Sequence, residues 1–118
     1  MDEGKYGDLK TGVNFAGKKY YCALELALEL IGSRWKIMMP YHLRNGALRS
    51  SELQRRLRDI SGKMFTQTAR ALERDRLIRR EIFPVVPPRV EYSLTSLGES
   101  AIPVIMGIGL WGESIETV

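Results

Sequence analysis

Between residues 63 and 74 the chain carries Lys63, Thr66, Gln67, Arg70 and Arg74 at spacings of three and four. On a helix these positions share one face, so their donors and acceptors converge along a single line. The chemistry open to such a line is hydrogen bonding to flat partners presented edge-on. A glutamine amide matches the N6/N7 edge of adenine and a guanidinium the O6/N7 edge of guanine, each through two bonds at once. Phe65, Ala69 and Leu72 fall on the opposite face and supply the contact that holds the helix down. A charged helix face taken alone is more often simply solvated, so its neighbours in sequence decide the reading.

Those neighbours are basic. From Arg44 to Arg80 there are eleven Arg or Lys against four acids, although the whole chain has 18 against 14. The rest of the molecule is therefore net acidic, and the pI near 9.4 is a property of the middle third. Arg49, with Ser50 and Ser51 at the expected start of a short helix, is suited to a phosphate through charge and free backbone N–H groups. Arg79, Arg80 and Arg89 flank a second basic stretch that can reach a nucleic-acid backbone or minor groove.

The elements that must position these groups follow from periodicity and punctuation. Residues 1–19 have four glycines and mixed charge, and read as an irregular arm preceding one domain over residues 20–118. Leu24, Ala27, Leu28 and Ile31 define an amphipathic helix stopped by Gly32, with Leu26 and Leu30 widening its apolar surface. Ser33 is placed to cap a second helix from about Arg34 to Arg44, where Pro40 predicts a kink or a late start and Asn45-Gly46 an end. Ser51 and Gln54 have the spacing of a capping box for a helix over Ser51 to Arg58, and Ser61 of a cap for the helix at about Lys63 to Asp75. Leu77 to Phe83 and Arg89 to Leu94 read as strands joined by the stiff segment PVVPP, and Thr95 caps a last helix of about twenty residues.

The predicted fold is thus mainly α with a small β-hairpin wing, an α+β winged helix-turn-helix. Its first and last helices are too apolar for one small core. Leu24, Leu28 and Ile31 with Ile102, Ile105, Ile108 and Trp111 are therefore expected to form the interface of a homodimer. Double-stranded DNA is the expected partner. The alternative is a winged helix used only as a protein-interaction module, without DNA sequence specificity.

Other chemistries find little support. Nucleophile, base and orienting group converge in no motif, and there is no phosphate-cradling glycine loop or metal-ligand cluster, so neither an enzyme nor a bound cofactor or metal is expected. Lone His42 reads as structural. The opening MDEGKYGDLK lacks a signal-peptide core and no apolar run reaches the roughly 20 residues of a span, which predicts a cytoplasmic protein with no membrane role. The single cysteine, Cys22, excludes an intramolecular disulfide. Trp35, Trp111 and the methionines are candidates for lining a small-molecule effector pocket at the dimer interface, with core packing the plainer reading.

Cys22, Ala27-Leu28, Ile31-Gly32 and Arg34-Trp35, then SSELQRRLRDISGKMFTQTARALERDRLI and FPVVPPRVEYSLTSLGES, together resemble the HxlR family of bacterial winged-helix regulators over about residues 20–112. The resemblance implies a dimer formed through the first and last helices, two recognition helices on one palindromic operator, and repression or activation of neighbouring genes. In part of that family the cysteine at the Cys22 position senses oxidants or electrophiles. Lys18, Lys19 and the start of the first helix would favour its thiolate form. Three departures stand out: Ala23 replaces a proline, Pro40 interrupts a helix, and Arg76 replaces the glycine that closes the recognition helix.

Overall fold

The computed structural model describes residues 4–117, and these form two compact units, one up to Ser33 and one from Arg34 onward. In the first, strands β1 (Thr11–Phe15) and β2 (Lys18–Cys22) pair antiparallel and lead directly into helix α1 (Ala23–Ile31). Ala16 and Gly17 make the two-residue turn with φ of 51° and 80°. Two left-handed residues are what a tight hairpin needs to match the twist of its strands. The irregular arm expected over residues 1–19 is therefore corrected from Thr11 onward. The turn is written Ala-Gly and not Asn-Gly, and each strand has only five residues, so the alternation that marks a hairpin is faint.

Pairing of Val13 with Tyr20 and Phe15 with Lys18 puts Val13, Phe15, Tyr20 and Cys22 on one face of the ribbon. These side chains are half-buried, as are Leu26 and Leu30 of α1, whereas Leu24 and Leu28 stay more than half exposed. None of the described residues of this unit is buried. A segment of this size with no interior does not supply its own stability.

The second unit contains α2 (Arg34–His42), β3 (Leu48–Arg49), α3 (Ser50–Arg56), α4 (Gly62–Arg74), β4 (Ile78–Phe83), β5 (Arg89–Leu94) and α5 (Ser96–Ser114). Met39, Leu43, Leu53, Leu57, Phe65, Leu72, Leu77, Ile78 and Ile105 form its core. Helix α2 runs unbroken to His42 with Pro40 buried in its last turn, so the late start weighed for this segment does not occur. The sheet has the order β3-β5-β4 and is antiparallel throughout. Strand β3 was not anticipated: two residues are too few to show a period, and only pairing with Glu91 and Tyr92 defines them. That pairing makes extended Arg49 the residue before α3 and starts the helix at Ser50, so the Ser51/Gln54 capping box is not the helix start. Among the described residues no helix is long and apolar enough to cross a membrane.

Four elements meet at one junction. Just past the end of α4, Arg76 sits at φ 66°, its N–H donating to the Glu73 carbonyl (3.0 Å) and the Leu77 N–H to that of Leu72 (2.9 Å). This is the closure normally made with glycine, so the turn is retained and Arg76 bears about 1 kcal/mol of backbone strain. The Thr95 hydroxyl donates to the Arg76 carbonyl (2.5 Å), with the Leu77 carbonyl 3.1 Å away, and accepts from Gly98 N–H (3.1 Å), while the Thr95 N–H donates to Leu77 (3.0 Å). The cap of α5 is thereby the clamp on the end of α4. A Cβ on Gly98 would collide with the Leu77 carbonyl oxygen and lie 3.1 Å from Leu94 Cδ2.

Gly98→Ala should therefore cost about 3 kcal/mol or more in urea unfolding, since relief requires the α4–β4 turn to move. Thr95→Ala should cost about 1 kcal/mol and Thr95→Ser less, because serine keeps the capping oxygen. Equal losses for Thr95→Ala and Thr95→Ser would show that the hydroxyl is not what holds the junction.

Candidate nucleic-acid interface

Helix α4 is started by Ser61, whose hydroxyl oxygen accepts from Met64 N–H at 3.0 Å. The preceding turn is tight, with Asp59 at φ 71°, a conformation that aspartate tolerates better than most side chains. Phe65, Thr68, Ala69 and Leu72 are buried, and Phe65 meets the Tyr92 ring edge-on with centroids 6.0 Å apart, which seats the helix on β5. Lys63, Thr66, Gln67 and Arg70 are all exposed on the far side, as their spacing predicts. Thr68, which flanks that line in sequence, is buried and has no access to a partner. Arg74 continues the line but is ion-paired with Asp75 at 3.4 Å.

A cleft of about 540 Å³ lies between the start of α3 and the wing. Arg49, Ser50, Ser51 and Gln54 form one wall, and Val85 to Val90 the other. Gln54 is the member that sequence reasoning missed. Its spacing from Ser51 suggests a cap, but it stands one turn after Ser50 and Ser51 on the same face, and its amide nitrogen lies within van der Waals reach of a Cβ placed at Gly62, at the start of α4. Gln54 thus stands between the cleft and the start of α4. The wing tip bears Val86, fully exposed.

Strand alternation sorts the wing arginines. Glu91 pairs with Arg49 on one side and Glu81 on the other, so Arg49, Glu81, Glu91, Arg79 and Arg89 share one sheet face, and Arg80, opposite Tyr92, lies on the other. Arg79 and Arg80, anticipated as a pair, therefore leave the strand in opposite directions. Arg89 is half-buried over the Phe83 ring (4.5 Å), with Nε 3.1 Å from a Glu91 carboxylate oxygen but its N–H not directed at it. By contrast Arg49, Lys63, Arg70, Arg79 and Arg80 have no ion-pair partner among the described residues. Their charge is uncommitted among the described residues.

Of the residues assigned to an interface with a second copy, Leu24, Leu28, Ile108 and Trp111 are exposed, Trp111 by 66%, and Ile31 and Ile102 are half-buried. Ile105 is 6% exposed and belongs to the chain's own core, a correction to its interface assignment. Cys22 is free and half-buried at the start of α1. The lysines do not gather around it: Lys18 is paired with Glu29 at 3.6 Å and lies 5.1 Å from the Tyr20 ring centre, and Lys19 is on the opposite face of β2. His42 is held below its ordinary pKa by burial first and by Arg56 and Arg44 second, all of which disfavour the charged imidazolium. Among the described residues no group of His, Cys, Asp and Glu is placed to hold a metal.

The same arrangement recurs in known proteins. Residues 30–117 match the model of the HxlR-like helix-turn-helix. An uncharacterized HTH-type transcriptional regulator of Methanothermobacter thermautotrophicus is 43% identical over 103 residues, covering 87% of this chain and 79% of that protein. The regulator YkvN of Bacillus subtilis is 45% identical over 95 residues, covering 80% of each. The redox regulator HypR in its oxidized form superposes with a TM-score of 0.78 at 39% identity, covering 82% of this chain and all of that one. With the tight turn into α4, the exposed line on that helix and the strand-flanked cleft all in place, the chain belongs to the HxlR-like helix-turn-helix family.

Proposed function

We propose that this transcriptional regulator binds a palindromic DNA operator as a homodimer and reads it with α4. The observation that carries the reading is the uncommitted line Lys63, Thr66, Gln67 and Arg70, together with a cleft whose free cation is Arg49. Gln67 and Arg70 lie about 4.5 Å apart along the helix axis, between the roughly 3.4 Å of one base-pair step and the roughly 6.8 Å of two, so each can reach a different base pair. Their bidentate groups suit adenine and guanine edges. Arg49, Ser50 and Ser51 are assigned to the phosphate backbone beside the wing, which Arg89 would join by exchanging the Glu91 carboxylate for a phosphate. Lys63 and Thr66, nearer the helix start, serve bases or phosphates, and Arg79 and Arg80 add charge at the wing root.

Dimerisation is supported by the state of the first unit, which lacks any buried described residue, and by exposed Leu24, Leu28, Ile108 and Trp111. A two-fold axis would present two copies of α4 about one helical turn of DNA apart. A response to oxidants or electrophiles through Cys22 is a further part of the proposal, supported by the likeness to the redox regulator HypR and by the free thiol in a unit without a core. With one cysteine per chain, oxidation would join Cys22 of two copies or join Cys22 to a small thiol, the oxidant taking up two electrons.

Selection from random duplexes should yield a palindrome, bound with a steep salt dependence. Arg70→Ala should cost about 1 to 3 kcal/mol and relax one position in each half-site, whereas Arg49→Ala should weaken all sequences alike and flatten the salt slope. Binding without sequence preference would instead favour the protein-interaction module.

Sedimentation at micromolar concentration should give about twice 13.4 kDa, and Leu28→Glu should shift the protein toward monomer. A wild-type monomer that binds the operator tightly would refute the dimer.

Diamide treatment should change operator affinity in the wild type and leave Cys22→Ser unaffected. An identical response in Cys22→Ser would remove the cysteine from the mechanism.

A further inference from the structure

A second cavity, of about 320 Å³, lies between α2 and α5, and the DNA-binding reading leaves it unused. Ile37, Met38 and Tyr41 form its α2 side, and Met106, Leu110 and Glu113 stand on its α5 side above buried Ile105, with Ile108, also proposed to meet a second copy, at its edge. The volume lies at the lower end of the small-molecule range, and thioethers adapt their shape to apolar guests. Neither Trp35 nor Trp111 lines it.

Two features say what it would hold. Glu113 is the only formally charged residue of the lining and has no ion-pair partner among the described residues. It sits in the last turn of α5, which contains no basic residue, so the carboxylate adds to the negative end of the helix with nothing opposing it. Gly109, also on the wall, is in mid-helix, where glycine costs roughly 1 kcal/mol relative to alanine. A side chain there would meet nothing within 4 Å, so neither packing nor turn geometry calls for its absence. Gly107 and Gly112 of the same helix are equally unobstructed, but only Gly109 borders the cavity, where the missing side chain leaves room for a guest.

We propose that this pocket binds a small organic cation, an aryl- or alkylammonium, with its hydrocarbon between Met38, Met106 and Leu110 and its charge on Glu113. Helix α5 begins on the Thr95 clamp at the wing root and α2 packs on α4, so an occupant separating them bears on both DNA-reading elements. That regulatory consequence rests on the DNA-binding reading; occupancy itself does not.

The test is calorimetry of the full chain, without DNA, using 3-phenylpropylammonium, the neutral 3-phenylpropanol and the anionic 4-phenylbutyrate. The ammonium should bind about tenfold or more tightly than either comparator. Glu113→Gln should abolish that preference while leaving the alcohol's affinity unchanged, and Gly109→Leu, by filling the space, should remove binding of all three. Equal binding of the three compounds, a preference that survives Glu113→Gln, or no heat at about millimolar ammonium would each overturn the proposal. So would a wild type that binds none of them while Gly109→Leu sediments as monomer, because a second copy of the chain would then fill the pocket. A mobility shift with the selected operator, with and without the ammonium, then reads the coupling separately. A protein that binds the ammonium but no DNA would refute the operator reading and leave the pocket standing.

Discussion

The hydroxyl of Thr95 is where the geometry of the molecule is decided. It spans the end of α4, the first residue before β4 and the first turn of α5, so recognition helix, wing and long helix share one anchor. The individual bonds are worth on the order of 1 kcal/mol each, and their importance is geometric more than energetic. Gly98 lets α5 approach the Leu77 carbonyl as no other residue can, and Leu72 and Leu77 bury the apolar side of the same closure. The strain at Arg76 is of the same order as one such bond, and it persists because the surrounding contacts leave the chain no other path. A line of side chains on α4 is useful against DNA only if its tilt relative to the wing is fixed, and this junction is what fixes it.

How much of this was legible in the sequence depended on the length of the pattern. Thirteen residues of α4 show both faces, and Ser61 and Thr95 cap as their positions predict. Strand β5 begins and ends where expected, since the rigid PVVPP segment bounds it. Elements defined by a partner and not by their own period were hidden. The two residues of β3 exist through pairing with β5, and they moved the start of α3 and with it the role of Gln54. The first hairpin was masked by an alanine in a left-handed position.

Side-chain roles failed for related reasons. Ile105 belongs to the same apolar stripe as Ile102 and Ile108, yet a stripe wide enough for two surfaces does not say which residues face which. Thr68 carries a polar label at a core position. Arg79 and Arg80 look like a unit in sequence and are separated by strand alternation, a rule that applies only once the register is known. Charges sort in a comparable way. Arg56, Arg74 and Arg89 are held by carboxylates, and Arg44 by the Tyr41 ring and carbonyl, which leaves a smaller set free than the count of basic residues suggests.

Both units leave apolar surface in water, and its amount bears on how the chain is completed. Leu24 and Leu28 on α1, and Val104, Ile108 and Trp111 on α5, are each about half exposed or more. Covering the rest of such side chains yields on the order of 1 kcal/mol apiece, or about 5 kcal/mol for one copy. Association costs between about 4 and 15 kcal/mol, so a foreign partner contributing nothing comparable would gain little. A two-fold interface uses each side chain twice and roughly doubles the gain, which brings it into the range where association is favourable. The same doubling would give the first unit the interior it lacks. A second copy is on these grounds a better match for that surface than a foreign partner, whatever the symmetry of the operator.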